Sequence, residues 1–160
     1  MAWIRGPQPS ESPGSSARPA ACVFCEAVRS DDDRRWLVVH RGEHAFLILN
    51  AYPYAPGHVM AVLNRHVGSL AEARADELAD AMREVQRATA ALAQEYRAEG
   101  FNVGMNLGRV AGAGIEGHLH VHVVPRWHGD GNFMGVLAET RVLPESLDAT
   151  WERLRGRVGD

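Results

Sequence analysis

Cysteine is nearly absent from this sequence: two residues among 160, Cys22 and Cys25, too few for the bridge framework that holds small secreted domains together. Long apolar runs are missing too. No stretch approaches the ~18 consecutive hydrophobic residues of a membrane span, and the opening MAWIRGPQPSESPGSSARPA lacks the apolar core of a signal peptide. There is no excess of positive charge. Seventeen basic side chains face 20 acidic ones, for a formal charge of -3, which argues against a protein that wraps nucleic acid on a basic stripe. Internal repeats are absent as well. What remains is a cytoplasmic protein with neither membrane nor nucleic acid as partner, in which an anionic ligand must be held by local donors and not by the overall field.

Hydrophobic residues make up 46% of the chain, enough for the core of one ordinary domain. Residues 6–20 are rich in Pro, Ser and Gly and have little to bury, so a mobile tail is expected over 1–20, with a single domain over 21–160. Residue patterning predicts strands at 36–40, 45–50, 58–63, 101–107 and 118–124, the first two joined by a tight turn at 41–43. Ser69 with Glu72 three residues on reads as a capping box. It opens a helix that runs to Glu99, with Leu70, Ala73, Leu78, Met82, Val85 and Leu92 on one broad face and Gly100 as its C-terminal cap. Residues 144–155 read as a short final helix. One long helix does not supply the crossovers of an all-parallel sheet. The expected class is therefore α+β: a mostly antiparallel five-stranded sheet, one long helix and a short C-terminal one.

The sharpest feature is His118-Leu119-His120-Val121-His122-Val123-Val124. Residues i, i+2 and i+4 of a strand share a face, so three imidazoles project to one side and Leu119, Val121 and Val123 to the other, toward the core. A solvated strand face, a metal site and phosphate chemistry all fit this register. Three alternating ligands on one strand fan out and converge poorly on a single ion, which favours phosphate chemistry over a catalytic metal. The glycine-rich loop 108–117 runs directly into the histidines; glycine lets the backbone approach a ligand and aim N–H groups at oxyanions. Asn106 offers a further amide donor.

The stretch His-Leu-His-Val-His-Val-Val resembles the signature of the histidine triad superfamily, and the resemblance extends from Cys22 to about Leu143. It takes in Leu49-Asn50 ahead of Ala55-Pro56-Gly57-His58, the run Phe101–Gly108, Pro125-Arg126-Trp127, and Gly129-Asp130-Gly131-Asn132-Phe133. Together these are most similar to the bacterial branch described as diadenosine tetraphosphate hydrolases or phosphorylases. The resemblance implies a nucleotidyl transferase or hydrolase that cleaves dinucleoside polyphosphates through a covalent nucleotidyl-histidine. In it, His120 is the nucleophile, made suitable by an imidazole that is neutral near pH 7. His118 and His122 are its catalytic partners, and His122 also bonds phosphate oxygens. Asn50 holds the ribose hydroxyls, Leu49 and Ala51 flank the base, and Asn106, Gly112 and Gly114 line the phosphate site. His58 buttresses a triad histidine. A homodimer joined through the sheet edges follows from the same likeness. Family members often carry Gln-Ser or Gln-Thr ahead of the triad, where this chain has Gly114 and Ile115. That departure removes a side-chain donor and leaves leaving group and acceptor open: water is slightly favoured, with orthophosphate, purine nucleoside phosphoramidase activity and a non-catalytic nucleotide sensor as alternatives. No organic cofactor is expected.

Cys22-Val23-Phe24-Cys25 has ligand spacing for zinc but is half a site; a redox pair and two buried thiols are the other readings. In triad proteins with a similar Cys-x-x-Cys the site is completed by two histidines, and the matching positions here are His66 and His118. The implied set Cys22, Cys25, His66 and His118 would hold a structural zinc ion. His40, His44 and His128 read as surface residues. Arg109 and Arg126 are candidate anion contacts, and Trp127 and Phe133 are candidates for a base or a dimer contact.

Overall fold

The computed structural model describes residues 22–130 and 145–158. The expected tail, and Gly131, Asn132 and Phe133, lie outside them. Five strands, β1 (Val38–Arg41), β2 (Ala45–Leu49), β3 (Val59–Leu63), β4 (Gly100–Gly104) and β5 (His120–Arg126), form one sheet in the order β1-β2-β3-β5-β4. Each neighbouring pair is antiparallel. The described helices are α1 (Val23–Arg29), α2 (Asp33–Trp36), α3 (Ala75–Tyr96) and α4 (Leu147–Val158). The α+β expectation stands, with the sheet wholly antiparallel.

Register decides which residues meet. Val59 lies opposite both Leu49 and Val123, while Met60 lies opposite both Ile48 and His122. Leu49, Val59, Val121 and Val123 therefore share one face, against Val85, Ala88 and Leu92 of α3 and Leu154 and Val158 of α4. Fully burying a side chain such as Leu92 contributes about 2 kcal/mol. The opposite face carries Phe46, Ile48, Met60 and Val62, covered in part by Phe24 and Ala27 of α1. His120 and His122 are on this second face, as the alternation expected.

The long helix differs from its sequence reading. Ser69 makes no side-chain cap and leads only into a short 3-10 turn. The α-helix opens at Arg74, whose backbone N–H donates to Glu77 at 2.9 Å. It closes at Arg97 in the left-handed conformation (φ 50°), and Gly100 is instead the first residue of β4. Leu70 and Met82 are exposed, and the buried stripe holds Glu77, Asp80 and Glu84. These acids are satisfied. Arg65 grips Glu77 at 2.7 and 2.8 Å, Asp80 accepts the N–H groups of His44 and Ala45 at 2.6 and 2.9 Å, and His40 Nδ1 is 2.8 Å from Glu84. His40 is thus a half-buried partner of the helix, whereas His128 is exposed.

Two short helices precede the sheet, and the first strand starts at Val38, two residues later than expected. Trp36 ends α2, which Asp32 caps by accepting the Arg35 N–H at 3.0 Å. Pro125 lies inside β5, beyond the last residue paired with β3, where its missing N–H breaks no bond to that strand.

Candidate active site and metal centre

Gly57 sets up the loop before β3. Its φ is +78°, and an added Cβ would stand 2.6 Å from Leu92, so both conformation and space demand glycine. The next residue, His58, is buried. Its Nδ1 accepts the Tyr54 N–H at 3.1 Å. A neutral imidazole that accepts at Nδ1 carries its proton on Nε2, and His58 Nε2 is 3.0 Å from His122 Nδ1. His58 donates, and His122 therefore keeps its own proton on Nε2, where a ligand can receive it. The Asn50 amide nitrogen is 3.5 Å from the same His58 nitrogen, a meeting of two donors and no bond. Asn50 Oδ1 accepts the Tyr52 N–H at 2.9 Å, which fixes the amide.

His120 has the opposite tautomer. His120 Nδ1–H donates to the carbonyl of His118 at 2.8 Å, leaving the lone pair on Nε2. His118 lies two residues before β5, outside the strand expected to start there, and donates its Nε2–H to the Leu63 carbonyl at 2.6 Å. Its Nδ1 lone pair lies 3.4 Å from Cys22 Sγ and 3.7 Å from Cys25 Sγ. His118 thus touches His120 by its backbone and the cysteines by its ring.

Burial lowers the proton affinity of all three rings. It holds His118 and His120 below the ordinary imidazole range. It takes His122 to about 4, with the neighbouring His120 adding to the effect. All three are neutral at pH 7, as the tautomers require.

Cys25 Sγ is 3.2 Å from His66 Nδ1, and the donor atoms of Cys22, Cys25, His66 and His118 all lie within 4.8 Å of one another. A tetrahedron with Zn–S near 2.3 Å and Zn–N near 2.0 Å has S···N edges of about 3.5 Å, so the four residues fit zinc. The His118 Nε2–H bond to a carbonyl is the kind of outer contact that orients a ligating imidazole. Gly117 lets His66 approach, since a Cβ there would stand 3.3 Å from His66 Nε2.

The family model for the HIT, or histidine triad, domain matches residues 34–129. This chain belongs to the HIT family. It is 44% identical to the AP-4-A phosphorylase of Mycobacterium tuberculosis over 86% of this chain and 70% of the relative. It is 30% identical to an adenosine 5'-monophosphoramidase of Saccharomyces cerevisiae over 67% of this chain and 63% of that protein. A Zn-bound histidine triad family protein from Mycobacterium smegmatis has the same fold, with a TM-score of 0.71, 25% identity, and coverage of 86% of this chain and 93% of the other.

The other candidate positions divide between those near the histidine face and those away from it. Ile115 packs on the Phe24 side of the sheet, which brings the glycine-rich loop over the histidine face. Gly112 has φ +88° and Gly108 φ +81°. The amides of 111, 112 and 113 are used within the loop, and Asn106 donates to the Gly112 carbonyl at 3.3 Å, so it braces the loop. Gly114 has open space around it. Leu49 points to the helix side and does not reach the histidine face; Ile48 does. Both candidate arginines are engaged elsewhere: Arg109 with Glu116 at 2.9 Å, Arg126 with Asp130 through two bonds of 2.6 Å. Trp127 donates its indole N–H to the Tyr96 carbonyl at 3.0 Å and so closes the end of α3. Sequence reasoning passed over Phe24 and Tyr54. Phe24 lies between the two cysteines, and its ring meets both His118 and His120. Only the backbone of Tyr54 carries the tautomer contact, and nothing in a residue's identity signals that.

Proposed function

We propose that this HIT protein splits dinucleoside polyphosphates of the diadenosine tetraphosphate kind through a nucleotidyl group carried on His120. The 2.8 Å bond from His120 Nδ1 to the His118 carbonyl supports this reading, because it leaves an unprotonated Nε2 on a neutral ring. Nε2 attacks the α-phosphorus, an N–P bond forms, and the P–O bond to the remaining polyphosphate breaks. His122 Nε2–H donates to a phosphate oxygen as negative charge grows there. Asn50 meets the ribose through its amide nitrogen. Leu49 contributes backbone only, beside the base. Gly112 and Gly114 give the loop its close approach, and Asn106 holds it in shape. Among the described residues, the Gly114 and Ile115 amides have no backbone acceptor and are the donors assigned to the phosphate. His118 acts through its carbonyl.

The acceptor assigned is orthophosphate, giving ADP and ATP from diadenosine tetraphosphate, because the 44% identical relative is named a phosphorylase. Water is the second reading, favoured by the engagement of Arg109 and Arg126 in ion pairs. Cys22, Cys25, His66 and His118 would hold zinc, which when bound would supply a rigid cross-link between α1, the segment after β3 and the triad. The protein is assigned to the cytoplasm, where its two cysteines serve a metal and not a bridge. It is a homodimer paired through the exposed edge of β4, where Asn102, Val103 and Gly104 are open. No described helix is long and apolar enough to cross a membrane.

The deciding experiment runs diadenosine tetraphosphate in heavy-oxygen water with and without millimolar phosphate. Unlabelled ADP and ATP at a phosphate-dependent rate are expected. Labelled AMP without a phosphate requirement replaces phosphorolysis by hydrolysis. Cleavage of adenosine phosphoramidate alone replaces both, and nucleotide binding without any turnover leaves a sensor.

A further inference from the structure

Between Cys22 and Cys25 the first turn of α1 delivers one large side chain into the protein: Phe24, 3% exposed. Its ring stands edge-on to His118, with centroids 5.4 Å apart at 79°, and tilted against His120, with centroids 5.2 Å apart at 55°. On the same strand face the His122 ring is 5.0 Å from His120 at 74°. The nucleophile's imidazole is thus in contact with two rings. Its Nδ1 bond to the His118 carbonyl fixes which nitrogen faces outward, but one hydrogen bond leaves the ring free to tilt about it. A packed aromatic edge removes that freedom.

We infer that Phe24 is a positioning residue for His120, and that the Cys-x-x-Cys turn is the device that seats it. This deepens the proposed nucleotidyl transfer and rests on it. Two paths join the four-donor cluster to the nucleophile. One runs through the His118 ring and carbonyl, the other through the Cys22–Cys25 turn and the Phe24 ring. Nε2 of His120 must point along the line of the breaking P–O bond, and misplacement by about 1 Å costs roughly a hundredfold in rate. Phe24 has almost no surface left for substrate, so it acts through His120.

The test uses Phe24→Leu and Phe24→Met in the full zinc-loaded chain. Both keep an apolar group of similar bulk but lose the ring, and Met serves where Leu fails to fold. Diadenosine tetraphosphate turnover, zinc content and the side-chain nitrogen NMR signals of His120 are measured together. The expected result is a kcat lowered roughly tenfold or more with KM within about threefold, zinc at the wild-type ratio, and altered His120 ring signals. Four results overturn the inference: unchanged kcat in a folded variant, raised KM with kcat intact (a wall of the base pocket), zinc and kcat lost in parallel (a support for the metal turn only), or unmoved His120 signals. If the wild-type chain itself leaves the substrate untouched, the proposed function fails, and the His120 signals still decide the positioning role.

Discussion

His58 Nε2 stands 3.0 Å from His122 Nδ1, and that bond sets which nitrogen of His122 carries a proton. It starts from the Tyr54 backbone amide, so the 50–58 loop orients a donor on β5. Replacing His58 by Phe keeps the volume and removes the bond. The kcat of His58→Phe should fall roughly 10- to 100-fold, the usual cost of losing such an orienting partner. Steady-state kinetics on diadenosine tetraphosphate checks this, and an unchanged kcat would remove the relay from the mechanism.

His120→Asn should abolish turnover while nucleotide affinity stays within about an order of magnitude, because only the chemical step uses the lost lone pair. Rapid acid-free quenching with labelled substrate should trap a nucleotidyl adduct on the wild type and none on the variant. Retention of more than about a tenth of kcat, a loss of only ~1.4 kcal/mol, contradicts a covalent route.

Much of the fold was legible because it follows periodicity. Strands of period two and a helix of period 3.6 announce themselves, and the histidine register needs no partner strand. Pairing is another matter. That Leu49 faces the helices follows only from its place opposite Val59, itself opposite Val123. The 7 residues of α1 and the 4 of α2 are too short for a periodic signal. The acids of α3 look like a solvated face in the sequence. They are buried because the β1–β2 turn and Arg65 supply donors from far along the chain. Likewise Cys22 and Cys25 gain their two histidines only after β3 and the loop before β5 converge.

Purified protein should contain about one zinc ion per chain by elemental analysis if the proposed four-donor site is filled. Cys22→Ser and Cys25→Ser should each lose the metal and melt at lower temperature, since binding free energy at such a site adds to folding free energy. Metal-free protein with an unchanged melting temperature would eliminate the zinc assignment.

Gly42 is a packing requirement. An added Cβ would stand 2.7 Å from the Ala45 carbonyl oxygen and 3.0 Å from carboxylate oxygens of both Asp80 and Glu84. Gly42→Ala should therefore destabilise by about 1–3 kcal/mol, the range for overpacking. A denaturant titration reads this directly, and an unaltered midpoint would show that the turn moves aside at little cost.

Acid should affect this protein through the triad. His122 is held near 4 by burial and by His120, whereas in the unfolded chain an imidazole takes up its proton near 6.5. Between these values the unfolded state binds more protons, so folding stability rises with pH. The contribution is fully present above about 6.5 and is lost as pH falls toward 4. Melting temperatures between pH 4.5 and 7.5 should slope upward, and His122→Phe should flatten the slope relative to wild type while leaving any zinc-dependent part in place. Function follows the same sign. His120, the proposed nucleophile, is also held low by burial, so it stays unprotonated below the pH at which a free imidazole would be half charged. Diadenosine tetraphosphate has no terminal phosphate to titrate in this range. The acid limb of kcat/KM, which reports the free enzyme, should therefore lie below about 6.5, the value for an unperturbed histidine. A limb at or above that value would mean that the triad titrates as exposed histidines do, against the burial of His118 and His120.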